Sequence, residues 1–147
     1  CKEIGAHRVG IRLSPTNNTW GINDSQYRQT FSRATELLNE FNLAYLHILE
    51  SKPGEDSTME YLTPMMREKY QGVLIANGGY DKYSANKAVE EESSDAISFG
   101  MPFIANPDLV TRYQKDEPLN QPDSSQFYTE GAKGYTDYPT LDISLSA

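Results

Sequence analysis

The sequence predicts an α/β fold of four β/α units in tandem around a parallel sheet, followed by an irregular tail. Three observations predict it. Residues 72–112, GVLIANGGYDKYSANKAVEEESSDAISFGMPFIANPDLVTR, read twice over as strand, glycine turn and helix. The strands, 73–76 and 96–99, are short apolar runs stopped by Asn77-Gly78-Gly79 and by Gly100. Upstream, residues 43–49 (LAYLHIL) are almost continuously apolar, as a strand buried on both faces should be. Short apolar strands alternating with helices imply a parallel sheet covered by helices on at least one face. Glycines at the carboxyl ends of two strands let backbone N–H groups approach a ligand closely. In a β/α barrel the phosphate site sits at the loops after the last two strands. A phosphate cradle is therefore the first expectation for this stretch.

Each element has its own justification. Residues 7–14 (HRVGIRLS) alternate Val9, Ile11 and Leu13 with Arg8, Gly10 and Arg12, and Pro15 ends the strand. Arg12 has two readings: a salt bridge at a strand end, or a contact to an anion or cofactor. A helix over 24–41 carries Tyr27, Phe31, Ala34, Leu37, Leu38 and Phe41 on one apolar stripe. Asn23 with Gln26 resembles a capping box, and Asn42 is a C-cap candidate. His47 lies inside the second strand and reads as a hydrogen-bonded core residue. Residues 51–62 are polar and turn-rich, a solvated connector or a substrate-side loop. Thr63-Pro64 starts a short helix with threonine as N-cap, and Met65, Met66 and Tyr70 should pack on the sheet. The next helix, 84–92, turns Ala85, Ala88 and Val89 inward and ends in a solvated Glu90-Glu91-Glu92 run. Asn106-Pro107-Asp108 is a helix start, with Leu109, Val110 and Tyr113 facing inward. From Asp116 the chain is irregular, yet it holds Phe127, Tyr128, Tyr135 and Tyr138, more aromatics than a free polar tail needs.

Bulk properties narrow the function. A chain of 147 residues can bury one core but falls short of the roughly 250 residues of a whole eight-fold β/α barrel. The net charge of −8 argues against nucleic-acid binding, which needs a basic face. No apolar run approaches a transmembrane length, and no membrane partner is expected. No secretory signal pattern is visible, and the single cysteine, Cys1, allows no internal disulfide. A cytoplasmic location is the expectation. No histidine, cysteine or carboxylate stands at metal-ligand spacing from His47, so no metal site is expected. Opening on Cys1 rather than Met fits either a start inside a longer gene product or a trimmed end.

HRVGIRLSP, GVLIANGGYD, SFGMPFIANPDLV, PLN and QFYTEGAKGYTDYP, in this order and at these distances, resemble the carboxyl-terminal half of the old yellow enzyme family. Its members are FMN-dependent ene reductases on a TIM (β/α)8 barrel. The likeness runs from about His7 to Pro139 and implies one half-barrel domain over 1–147, with strands five to eight and a tail over 116–147. It implies an oxidoreductase that takes hydride from NAD(P)H through FMN to the activated C=C bond of an enone or enal.

The resemblance also assigns residues. Arg12 matches the arginine at the N1 and O2 edge of the flavin. Gly78 and Gly79 match the turn that wraps the FMN phosphate. Gly100 and Met101 match the second phosphate turn, Phe127 an aromatic near the dimethylbenzene end, and Tyr128 a tyrosine lining the substrate pocket. Two departures stand out. Met101 occupies the place where many members carry a phosphate-pairing arginine. The family's amino-terminal half, which supplies the carbonyl-binding histidine pair and the proton-donor tyrosine, has no counterpart in these residues, so no catalytic residue is assigned. That half would come from another chain, a longer parent or self-association. The alternative expectation is a non-catalytic half-barrel or fragment that binds a phosphate ligand or a partner chain.

Overall fold

The computed structural model describes residues 1–16, 24–50 and 60–141. The chain divides into two compact units, Cys1–Ser98 and Phe99–Ala147. The first unit holds β1 (Gly10–Leu13), α1 (Tyr27–Leu38), β2 (Tyr45–Leu49), α2 (Thr63–Lys69), β3 (Leu74–Asn77), α3 (Lys82–Glu90) and β4 (Ala96–Ser98). The strands form one sheet in the order β1-β2-β3-β4, and every neighbouring pair is parallel. This is the α/β alternation expected from the sequence.

Register separates the two faces of the sheet, because successive side chains point to opposite sides. Ile11, Leu46 and Leu74 share one row, and Leu13, Ile48, Ala76 and Ile97 share another on the same face. Leu46, Ile48, Leu74 and Ala76 are fully buried there with Leu62 and Met66, and Tyr70 joins them. Tyr27, Phe31, Leu38 and Met65 pack against this core from α1 and α2. The opposite face carries Arg12, His47, Ile75 and Ala96 in one row and Leu49, Asn77 and Ser98 in the next. On that face Arg12 and Tyr45 are exposed and His47 is half-buried. The expectation that the second strand is buried on both faces is thereby corrected. Only its helix-facing side chains are buried, and the other face is the one a closed barrel turns inward.

Several sequence expectations shift at element ends. The first strand starts at Gly10, because Ala6–Arg8 form a 3-10 turn. Leu37 of α1 and Phe41, in the 3-10 turn Asn39–Phe41 that follows it, are exposed, and Thr35 holds the buried position instead, its hydroxyl donating to the Phe31 carbonyl at 2.7 Å. Asn23 lies outside the described residues, and Gln26 caps α1 without a side-chain bond. Asn42 adopts the left-handed conformation of a helix end, as expected. Thr63 is the first residue of α2 rather than its N-cap. The third helix begins earlier than expected, because Asp81 and Ser84 form a reciprocal capping box: Ser84 N–H donates to Asp81 Oδ1 at 2.8 Å and Asp81 N–H to Ser84 Oγ at 3.0 Å. Ala85 and Ala88 are buried, whereas Val89 faces outward.

The second unit holds α4 (Met101–Ala105), α5 (Leu109–Lys115) and the aromatic-rich tail. Leu109 is buried and Val110 exposed, against the expectation that both face inward. Tyr113 packs edge-on against Phe99, ring centres 5.5 Å apart. Asn106 does not cap α5 with its side chain. It bonds instead to the carbonyls of Pro102 and Asn120, at 2.9 and 3.2 Å, and accepts from Asn120 N–H at 2.7 Å.

The tail is fastened to α5 by polar contacts. Arg112, nearly buried, donates to Asp108 Oδ1 at 2.8 Å and to the carbonyls of Pro118 and Pro139 at 2.6 and 3.0 Å. Asp108 also accepts Leu141 N–H at 2.7 Å. That N–H bond, with the Arg112 guanidinium, holds the Asp108 carboxyl below the usual aspartate value. A depressed folded-state pKa gives stability that is complete above the unfolded value of 3.8 and lost as pH falls through the lower folded value. Leu141 amide protection should therefore hold down to the ordinary aspartate value and fall away only as pH drops further, through the lower folded one. In Asp108→Asn, which keeps an acceptor but cannot titrate, protection should be weaker and flat with pH, as read by amide exchange.

Candidate functional site

The carboxyl ends of β2 and β3 are built around one buried side chain that the sequence did not single out. Glu50, directly after β2, is 1% exposed. Its carboxylate accepts Leu62 N–H at 3.0 and 3.1 Å, Thr63 N–H and Thr63 Oγ1 each at 2.7 Å, and Thr16 Oγ1 at 3.2 Å. A buried carboxylate is tolerated only when hydrogen bonds replace its water, and five donor contacts do so here. The signal in the sequence was faint: an acid closing an apolar run, twelve residues before Leu62-Thr63-Pro64.

Gly78 follows β3 with φ +124°, and a Cβ placed on it would lie 1.6 Å from the backbone oxygen of Glu50. Glycine is therefore required at 78 by the protein's own backbone. Gly79 also has positive φ, +64°, and is exposed. Gly100 differs. It is exposed, its φ of −96° suits any residue, and no atom lies within 4 Å of a Cβ built there. Among the described residues no steric contact demands a glycine at that point. Met101 beside it is 58% exposed and opens α4.

On the open face of the sheet Arg12 stands in register with His47, which is in register with Ile75, three residues before Gly78. None of the ion pairs among the described residues includes Arg12, so the strand-end salt bridge is not made there. His47 Nε2 lies 2.9 Å from Ser98 Oγ, and Asn77 Nδ2 donates to the Ser98 carbonyl and hydroxyl, both at 2.8 Å. Burial first, and then the positive charge of Arg12, hold the His47 imidazole below the usual histidine pKa. A neutral imidazole leaves the guanidinium as the cation of this row. His47 is thus hydrogen-bonded, as the sequence suggested, but on the open face rather than in the core. Near the Gly78 turn, Tyr80 bonds Tyr61 through their hydroxyls at 2.7 Å, and burial followed by that bond raises its pKa.

In the second unit Phe127 is half-buried, while Tyr128 is 96% exposed with φ +63°. Left-handed backbone is strained for a bulky residue. The Tyr128 N–H donates to the Tyr135 hydroxyl, which supports that conformation. A cavity of about 370 Å³ opens elsewhere, at the amino-terminal ends of the strands, lined by Leu38, Asn39, Asn42, Leu43, Tyr70, Gln71 and Gly72. None of the expected site residues lines it. Among the described residues no cluster could hold a metal ion, and no helix is long and apolar enough to cross a membrane.

Four parallel strands in sequential order, with helices packed on one face and the other face open, define half of a β/α barrel. Comparison with known proteins gives the family. The sequence pattern of the NADH:flavin oxidoreductase / NADH oxidase family matches residues 1–120, and the chain belongs to that family. It is 39% identical over 145 residues to 12-oxophytodienoate reductase 2 of Arabidopsis thaliana, covering 96% of this chain and 39% of the relative. Rice 12-oxophytodienoate reductase 1 is 40% identical, with 95% of this chain and 38% of the relative covered. Among solved structures, the old yellow enzyme from Trypanosoma cruzi matches with a TM-score of 0.89 at 39% identity, over 97% of this chain and 37% of that one. Morphinone reductase matches with a TM-score of 0.89 at 38% identity, over 99% and 40%. The chain thus spans about two fifths of the proteins it matches, and its fold is half of an old yellow enzyme barrel.

Proposed function

We propose that this chain is the carboxyl-terminal part of an FMN-dependent NAD(P)H oxidoreductase that reduces activated C=C bonds of α,β-unsaturated carbonyls. The observation that carries the reading is Arg12, a guanidinium with no ion pair among the described residues, on the open face of a sheet in a chain of the NADH:flavin oxidoreductase family. Bound FMN would supply hydride transfer between the nicotinamide and the alkene. Arg12 would stabilise negative charge at the N1 and O2 edge of the ring. Backbone N–H groups of Gly78, Gly79, Gly100 and Met101 would hold the phosphate, Phe127 would pack on the dimethylbenzene end, and Tyr128 would line the pocket for an enone or enal. The 147 residues would act as one half-barrel domain with residues 116–147 as its tail, in the cytoplasm. In the first unit's sheet, β1 and β4 each have a single hydrogen-bonded neighbour among the described residues. Unpaired edges favour closure by a complementary amino-terminal half or by self-association.

Met101 favours a second reading. Its thioether offers no donor to a phosphate, which suits a non-catalytic half-barrel or fragment that binds a phosphate ligand or partner chain. Absorbance and turnover separate the two. The flavoenzyme reading expects the chain, with a complementary half, to take up FMN and to consume NADPH when cyclohexenone is added. A colourless product that ignores added FMN in the presence of that half would sink it.

A further inference from the structure

Glu50 belongs to no role assigned above, yet it joins three chain segments at the end of the sheet where the glycine turn lies. Its side chain fastens Thr16, after β1, to Leu62 and Thr63 at the start of α2. Its backbone N–H donates to the Asn77 carbonyl at 3.1 Å. Its backbone oxygen fills the space where residue 78 would carry a Cβ. The side chain is fixed by donors from two segments, so the main chain of Glu50 is fixed too, and the Gly78 turn is seated against it.

We propose that Glu50 is the positioning residue for the Gly78-Gly79 turn, setting the direction of the backbone N–H groups that receive the cofactor phosphate. The role rests on the FMN reading given above. Glu50 touches no ligand in this role; it acts through its carbonyl on the turn. The donors that hold the side chain are backbone N–H groups and hydroxyls, all uncharged, so removing the Thr63 hydroxyl loosens the seat without changing the formal charge near the phosphate.

The test compares FMN with riboflavin, which lacks the phosphate, by fluorescence titration of the full chain with its complementary half. Two variants are used: Glu50→Gln, and the milder Thr63→Val, which removes one hydroxyl donor and keeps the side-chain shape. The native protein should prefer FMN. Each variant should lower that preference, Glu50→Gln by about tenfold, the size of one charge-assisted hydrogen bond. Riboflavin affinity should stay within about twofold of native. A general loosening of the fold would weaken both ligands alike and so overturn the proposal. A second readout needs no flavin: Thr63→Val should shift the Gly78 and Gly79 amide resonances, and unmoved resonances also overturn it. If the native protein binds FMN and riboflavin equally, the phosphate reading fails. Shifted resonances in that case would mark the Glu50 seat as purely structural.

Discussion

Gly78→Ala is expected to destabilise the chain by at least about 3 kcal/mol, measured by urea unfolding, and on a marginal half-barrel that can mean failure to fold. Two costs add. A φ of +124° lies where L side chains rarely sit. The new Cβ would also meet the Glu50 carbonyl at 1.6 Å, and backbone on both sides must move to relieve it. Glu50 cannot retreat easily, because its carboxylate is held by Leu62, Thr63 and Thr16. Gly100→Ala is the control. With an ordinary φ and nothing within 4 Å, it should change stability by less than about 0.5 kcal/mol. If Gly78→Ala proves as mild as Gly100→Ala, the seating of the turn on Glu50 is wrong.

These two glycines show how much a sequence can carry. Both were legible as punctuation after apolar strands, and the parallel sheet followed from that alternation. Their reasons were not legible. At 78 the demand comes from a carbonyl 28 positions earlier in the chain, a contact that exists only once β2 and β3 pair. Local pattern misled in a consistent way elsewhere. Leu37, Phe41, Val89 and Val110 sit beside true core positions in the helical period and were read inward, yet all are exposed. A short amphipathic helix has a narrow buried stripe, and periodicity alone does not say which flank the sheet covers. Thr35 filled its buried place because its hydroxyl could bond within the helix. The polar bonds of Glu50, Asn77 and Ser98, and that of Arg112 to Pro139, were invisible because each joins segments distant in sequence. Arg12 was different. An arginine flanked by Ile11 and Leu13 announced a strand with one face unlike the other, and register puts it on the open face.

Met101→Arg is expected to tighten FMN binding about tenfold to a hundredfold, the gain of one or two charge-assisted hydrogen bonds to a phosphate. Methionine supplies no donor, whereas a guanidinium offers five in a planar fork. The position can take the longer charged group, because Met101 is 58% exposed and the neighbouring Gly100 has open space. A cation in the first turn of α4 opposes the helix dipole, at roughly 0.3–1 kcal/mol. The melting temperature should therefore fall slightly even as FMN affinity rises. Opposite signs in the two measurements are informative, since a substitution that merely improved folding would raise both. Riboflavin affinity should not change. Should FMN affinity stay level while the melting temperature drops, residue 101 does not face the phosphate, and the cofactor contacts assigned to the Gly100 turn must be withdrawn.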